Sequence, residues 1–212
     1  MMRASRRFSI AACLFLIGLP FAHAANVQVF TNRASWEAAA SSSFSAITTE
    51  DFTDSTLDGG LSITAGSVGN GVFSGAGSPL VFPNPGAFKF QHGVLSFGGD
   101  FDLTPGGSGG GLMLTATFDD NTTQLIGSML NPSPQAQFNG FFGFVSDKPV
   151  ITITYQNPNV TGQTELFNLD NASFRGNWWW WWGPGGIWFA FIIIIVVILT
   201  FVFKKKWPRP RK

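Results

Sequence analysis

Leu112-Met113-Leu114-Thr115-Ala116-Thr117-Phe118 alternates residue by residue. Successive side chains of an extended chain point to opposite sides. Leu112, Leu114, Ala116 and Phe118 therefore share one face, and Met113, Thr115 and Thr117 the other. One apolar face packs on a core while the other meets water. Ile151, Ile153 and Tyr155 repeat the pattern against Thr152 and Thr154. Outward from these two stretches, short apolar runs recur at Ala46–Phe52, Leu61–Ala65, Leu80–Phe82, Val94–Leu103, Gln124–Ile126, Phe141–Val145, Val150–Tyr155 and Leu166–Phe174. Turn-forming residues separate them, as in Gly69-Asn70-Gly71, Pro83-Asn84-Pro85-Gly86, Thr104-Pro105-Gly106-Gly107 and Asp119-Asp120-Asn121. Many short strands with turn chemistry between them indicate a sandwich or barrel. The fold expected is mainly β, a single jelly-roll-like β-sandwich over residues 25–176. At its start, Val27–Phe30 reads as a strand. Thr31-Asn32 caps a short N-terminal helix over Arg33–Ala40 that buries Trp36. Glycine-rich Gly106–Gly111 is a hairpin connection. It fails as a phosphate loop, because no Lys-Ser/Thr follows and the next element is a strand.

The two ends of the chain are different in kind. Met1–Arg7 carries Arg3, Arg6 and Arg7, an apolar stretch runs from Phe8 to Phe21, and Ala22-His23-Ala24 follows. A basic segment, an apolar segment and a small-x-small site make a signal peptide over residues 1–24, cut by signal peptidase after Ala24. Ile10-Ala11-Ala12-Cys13 matches the pattern before a lipid-modified cysteine, but most of the apolar stretch lies after Cys13, which disfavours that reading. At the other end, a Trp/Gly-rich linker over residues 177–186 contains Trp178–Trp182. Ile187–Phe203 is free of charge and, as a helix, is roughly 25 Å long. It reads as a C-terminal transmembrane helix. Lys204, Lys205 and Lys206 open a basic tail over residues 204–212. Such clusters stay on the cytoplasmic side, and the tryptophans suit the membrane interface.

Charge agrees with that topology. The chain has 13 basic and 12 acidic residues, but three basic residues lie in the leader and six after the apolar run. Only Arg33, Lys89, Lys148 and Arg175 stand against all twelve acids in the body, a net charge near −8. An acidic surface repels nucleic acid. Cys13 is the one cysteine, so the mature body has no disulfide, thiolate nucleophile or Cys-ligated zinc.

Residues that carry chemistry are few. His92, in Phe90-Gln91-His92-Gly93, is the one histidine outside the leader and reads as a polar turn residue. No Gly-x-Ser-x-Gly elbow is present. The carboxylates are the better candidates. Asp100 and Asp102 are two apart on a strand and share a face. Asp170-Asn171 interrupts the alternation of the last strand, which marks a bulge or a local hydrogen-bonding role. Glu50, Asp51 and Asp170 are the candidate ligands of a structural Ca²⁺ between an early strand and the closing one, set against the default of solvated turns, since no Asp-x-Asp-x-Asp-Gly loop exists. The surplus of phenylalanine, and Trp36, read as core.

Four segments carry a family resemblance: Phe30-Thr-Asn-Arg-Ala-Ser-Trp36, Phe97-Gly-Gly-Asp-Phe101, Phe141-Phe-Gly-Phe-Val-Ser-Asp147 and Leu169-Asp-Asn-Ala-Ser-Phe174. Together they make residues 27–175 resemble the ectodomains of PEP-CTERM proteins, exported by Gram-negative bacteria and sorted by the membrane enzyme exosortase. That family ends in a Pro-Glu-Pro motif, an apolar helix and a basic cluster. Here the helix and cluster are present, and Trp178–Trp182 with Gly183-Pro184-Gly185-Gly186 stand in place of the motif. The resemblance implies a non-enzymatic surface protein, a single-pass membrane protein with its ectodomain outside and its C-terminus in the cytoplasm. Its partners would be the bilayer, signal peptidase, exosortase and extracellular polysaccharide. The alternative on the same fold is a carbohydrate-binding or carbohydrate-active module, with calcium as its cofactor.

Overall fold

The computed structural model describes residues 24–41, 46–79, 85–105, 110–130, 138–158 and 164–176. Residues 1–23 of the expected signal peptide, Ala22 included, Trp178–Trp182, the apolar run, Lys204–Lys206 and the strand expected at Leu80–Phe82 lie outside them, while Ala24 lies inside. Among the described residues no helix is long and apolar enough to cross a membrane.

The body is mainly β with one helix among the described residues. Strand β1 (Val27–Phe30) leads to helix α1 (Arg33–Ala40), followed by β2 (Thr48–Glu50), a 3-10 turn at Asp58–Gly60, β3 (Leu61–Ile63), β4 (Ser67–Gly69), β5 (Val72–Pro79), β6 (Gly86–Asp102), β7 (Gly111–Phe118), β8 (Thr123–Leu130), β9 (Asn139–Asn157) and β10 (Glu165–Gly176). Helix α1 begins where expected. Asn32 is extended, and its side-chain oxygen accepts from the Ser35 backbone N–H at 3.0 Å. That satisfies one donor of the first turn. Trp36 and Ala40, one turn apart, form the buried face.

All ten strands join one hydrogen-bonded sheet, ordered β3-β6-β10-β5-β9-β7-β8, with β1 on β9, β2 on β10 and β4 on β5. Two face-to-face sheets were the expectation. The difference comes from β6 and β9, of 17 and 19 residues, which pair with each other over most of their length and change outer neighbours along the way. Near its start β6 has β3 alongside, and further on β10. β9 has β1 first and β7 later. A short parallel pairing of Ser78 and Pro79 with Gln156 and Asn157 then completes a ring through β6, β10, β5 and β9.

Two local expectations change. Phe141–Val145 and Val150–Tyr155 are one strand, β9, which carries Ser146–Pro149 as an insertion between paired stretches. Phe90–Gly93 is no turn. It runs inside β6, where Gly93 takes φ 67° and the register with β9 shifts. The turn expected at Gly69-Asn70-Gly71 is present: Asn70-Gly71 is the tight turn of the β4–β5 hairpin, with φ 56° and 79°. Both positive values suit the two-residue turns that match strand twist.

The core is aromatic. Phe73 has no exposed surface, and its ring meets Phe52, Phe88, Tyr155 and Phe167 at centroid distances of 5.3–6.1 Å. The Tyr155 hydroxyl, buried with its ring, donates to the Ala65 carbonyl. Leu112, Leu114, Ala116 and Phe118 all face this core, as their alternation requires.

Candidate functional site

Helix α1 lies on the outer side of the sheet over a glycine floor. Gly98 of β6 and Gly143 of β9 are directly paired. A Cβ on Gly98 would meet the Phe141 ring at 2.5 Å, and one on Gly143 would meet Phe141 at 2.9 Å and Trp36 at 3.0 Å. Only hydrogen at both positions lets the two rings settle onto the backbone. Trp36 Nε1 donates to the Phe144 carbonyl at 3.0 Å, and its ring tilts against Phe141 at 5.6 Å.

Arg33, in the first turn of α1, ties the helix to the closing strand. Its Nη2 reaches Asp100 Oδ2 at 2.8 Å and the Asn171 carbonyl at 3.3 Å, and Nη1 reaches Ser173 Oγ at 3.3 Å. The guanidinium also sits 4.8 Å from the centre of the Phe141 ring. Asn171 has φ 50°, and the register between β10 and β6 slips between Asp170 and Ser173. This is the bulge that Asp170-Asn171 predicted. It turns the Asn171 amide to Asp100 Oδ2 at 3.3 Å, while Asp170 Oδ1 accepts the Asn171 N–H at 2.6 Å. All four segments quoted for the family resemblance meet at this knot.

Asp100 is 43% exposed at its side chain, so solvent screens the ion pair and its removal costs little. Arg33 combines charge, three acceptors and a ring contact. Arg33→Met is expected to destabilise the body by about 1–2 kcal/mol, and Asp100→Asn by about 0.5 kcal/mol. Urea unfolding followed by circular dichroism checks the order. Equal losses would mean that the ion pair alone matters.

The three candidate calcium ligands are not gathered together. Among the described residues no three His, Cys, Asp or Glu side chains form a group able to hold a metal. Glu50 is buried and spends both oxygens on backbone: Oε1 accepts from Phe52 N–H at 2.6 Å and Oε2 from Asp58 N–H at 2.7 Å. It braces the loop through Phe52, whose φ is 54°. Asp51 faces solvent and accepts from Thr53 Oγ1 at 2.7 Å and from Thr53 N–H at 3.0 Å, bonds that hold its carboxyl below the usual range. Asp170 is occupied in the bulge. The register does set Asp170 opposite Asp100, two acids facing across neighbouring strands, but Arg33 and the Asn171 amide engage Asp100, and the Asn171 N–H engages Asp170 Oδ1. His92 is exposed.

A second site was not expected from sequence, although Asp147 on its wall closes one of the segments quoted for the resemblance. Three strands are irregular at one place. β6 slips against β9 between Val94 and Ser96, β9 inserts Ser146–Pro149 opposite, and β10 slips between Arg175 and Gly176. A groove of about 550 Å³ opens there. Its wall includes Asn26 and Gln28 of the first strand region, Leu95, Val145, Asp147 and Arg175. Asp147 Oδ1 is occupied by the Asn26 N–H at 2.8 Å. Arg175 is 3% exposed, its Nη1 donates to the Ala40 carbonyl at the end of α1, and burial lowers its pKa. Its Nε–H has no acceptor, and neither has the buried hydroxyl of Ser96, the residue directly opposite on β6. The sequence signal for this place is slight. Val94 and Phe97 both face the core although they are three apart, which period two forbids without an extra residue.

No family model, no curated protein and no solved structure matches this chain.

Proposed function

We propose that the chain is an exported, non-enzymatic surface protein, held in the membrane by its C-terminal apolar helix and displaying its β body to the cell envelope or extracellular polysaccharide. The carrying observation is how the folded unit sits between the two charged ends of the sequence. β1 opens at Val27, three residues past the proposed cut after Ala24, and β10 closes at Gly176, just before the tryptophan run. Removing the leader leaves every described strand intact. The body holds the twelve acids, and the basic cluster follows the apolar run. The charge asymmetry favours a cytoplasmic tail.

The body is proposed as jelly-roll-like in the manner of PEP-CTERM ectodomains, the family its four shared segments resemble. Those segments serve here to clamp α1 onto the sheet, a scaffold role rather than a chemical one. A carbohydrate-active alternative would rest on Asp100 and Asp170. Asp100 is committed to Arg33 and the Asn171 amide, and Asp170 Oδ1 to the Asn171 N–H, which favours the non-enzymatic reading.

Intact-mass measurement of the product from a Gram-negative host tests this. The expected species has lost residues 1–24 and is extracted from membranes only by detergent. A full-length species in the soluble fraction would refute export and anchoring together.

A further inference from the structure

We propose that Arg175, with Ser96 beside it, forms the floor of a binding site for a single carboxylate group, entered through the groove between the first strand and the Ser146–Pro149 insertion. A guanidinium buried to this degree is normally compensated, because an unpaired buried charge is costly. All twelve acids of the sequence fall among the described residues, and none of them bonds to Arg175. The chain's own acidic side chains therefore leave this charge unbalanced. Its one bond, from Nη1 to the Ala40 carbonyl, fixes the plane of the guanidinium and leaves the Nε edge free. That edge is a fork suited to the two oxygens of a carboxylate.

Ser96 adds a second unsatisfied donor. Directly opposed residues on antiparallel strands hold their Cβ atoms about 5 Å apart, so the buried hydroxyl lies beside Arg175, just behind the groove wall that Arg175 lines. Bulges are the usual means of re-aiming side chains beside a site, and three adjacent strands are irregular at this point. The volume of about 550 Å³ is that of a small-molecule pocket. Gln28 and Asn26 on its wall offer amides for hydroxyl groups, and Leu95 and Val145 offer apolar surface.

Charge selects the ligand class. One guanidinium balances one negative charge. Asp147 on the wall and the acidic body oppose a dianion such as phosphate. A carboxylate reaches the site either as a small organic acid or on an acidic sugar, and the size of the groove admits both. Export and anchoring have no bearing on this site, so its failure would leave that reading intact.

The test is thermal unfolding of the full chain in detergent micelles, at constant ionic strength, with acetate, glucuronate, glucose and inorganic phosphate. Acetate and glucuronate are expected to raise Tm saturably, and glucose to have no effect. A larger response to glucuronate than to acetate identifies the sugar-borne source, and equal responses the simple acid. Arg175→Met should weaken carboxylate binding at least tenfold, and Ser96→Ala severalfold. If Arg175→Met fails to fold, Ser96→Ala decides. The proposal is overturned if no carboxylate shifts Tm, as would follow were water alone to fill the space. It is equally overturned if phosphate binds more tightly than either acid, or if the folded variants respond as wild type does.

Discussion

Phe73→Ala is expected to destabilise the body by about 3–5 kcal/mol, the cost of truncating a fully buried phenylalanine where neighbours relax only in part. Phe73 is the shared contact of four rings from four separate parts of the chain: Phe52 after β2, Phe88 on β6, Tyr155 on β9 and Phe167 on β10. Each edge-on contact adds about 0.5–1.5 kcal/mol beyond area, so the loss belongs at the upper end of that range. With no disulfide to limit the unfolded chain, such a loss is a large share of an ordinary domain's 5–15 kcal/mol. Chemical denaturation gives the value. Phe73→Leu, which keeps most of the volume, should recover well over half of it. A loss below about 1 kcal/mol for the alanine variant would mean that the rings do not pack as described.

Trp36→Ala should cost a similar about 3–5 kcal/mol, by another route. Trp36 has no exposed surface, yet it sits outside the main core, in a small cluster with Ala40 and Phe141. Its removal empties the seat above Gly143 and takes away the donor to the Phe144 carbonyl. α1 then loses its anchor while the sheet keeps its main core. Hydrogen exchange should show α1 open in this variant and β6, β9 and β10 still protected. Trp36→Phe keeps much of the ring and loses the hydrogen bond, so it should fall about 1–2 kcal/mol below wild type. Uniform loss of protection through the sheet would contradict the separate role given to the helix.

How far these features could be read from sequence depends on the range of the forces behind them. Local patterns were legible. Alternation in Leu112–Phe118 gave a strand with its buried face, and Asn32 gave the start of α1. Asp170-Asn171 announced its own bulge, because a polar pair cannot sit inside a regular alternating strand without one. Long-range pairing was less legible. Phe141–Val145 and Val150–Tyr155 stand in the sequence as two apolar runs with turn-forming residues between them, but β9 passes Ser146–Pro149 as an insertion that leaves the pairing on either side in place. The same insertion makes the groove at Arg175, and there the sequence was almost silent. A single arginine after Phe174 reads as solvent-facing. It is buried because α1, which begins some 140 positions earlier in the chain, returns to cover it. The calcium candidates, set from the start against solvated turns, lie apart for a related reason. Acidity marks a carboxylate without marking its partner, and Glu50 had two backbone N–H groups of its own loop within reach.

The central claim is a β body outside the membrane and a basic tail inside. Once the leader is removed the chain has no cysteine, so a single introduced thiol reports its own side of the membrane. Leu125 is 54% exposed on β8, and Lys212 lies in the tail. In spheroplasts treated with a membrane-impermeant maleimide, Leu125→Cys is predicted to label at once, and Lys212→Cys only after the membrane is broken. Labelling of Lys212→Cys in intact spheroplasts, with Leu125→Cys protected until lysis, would contradict the account.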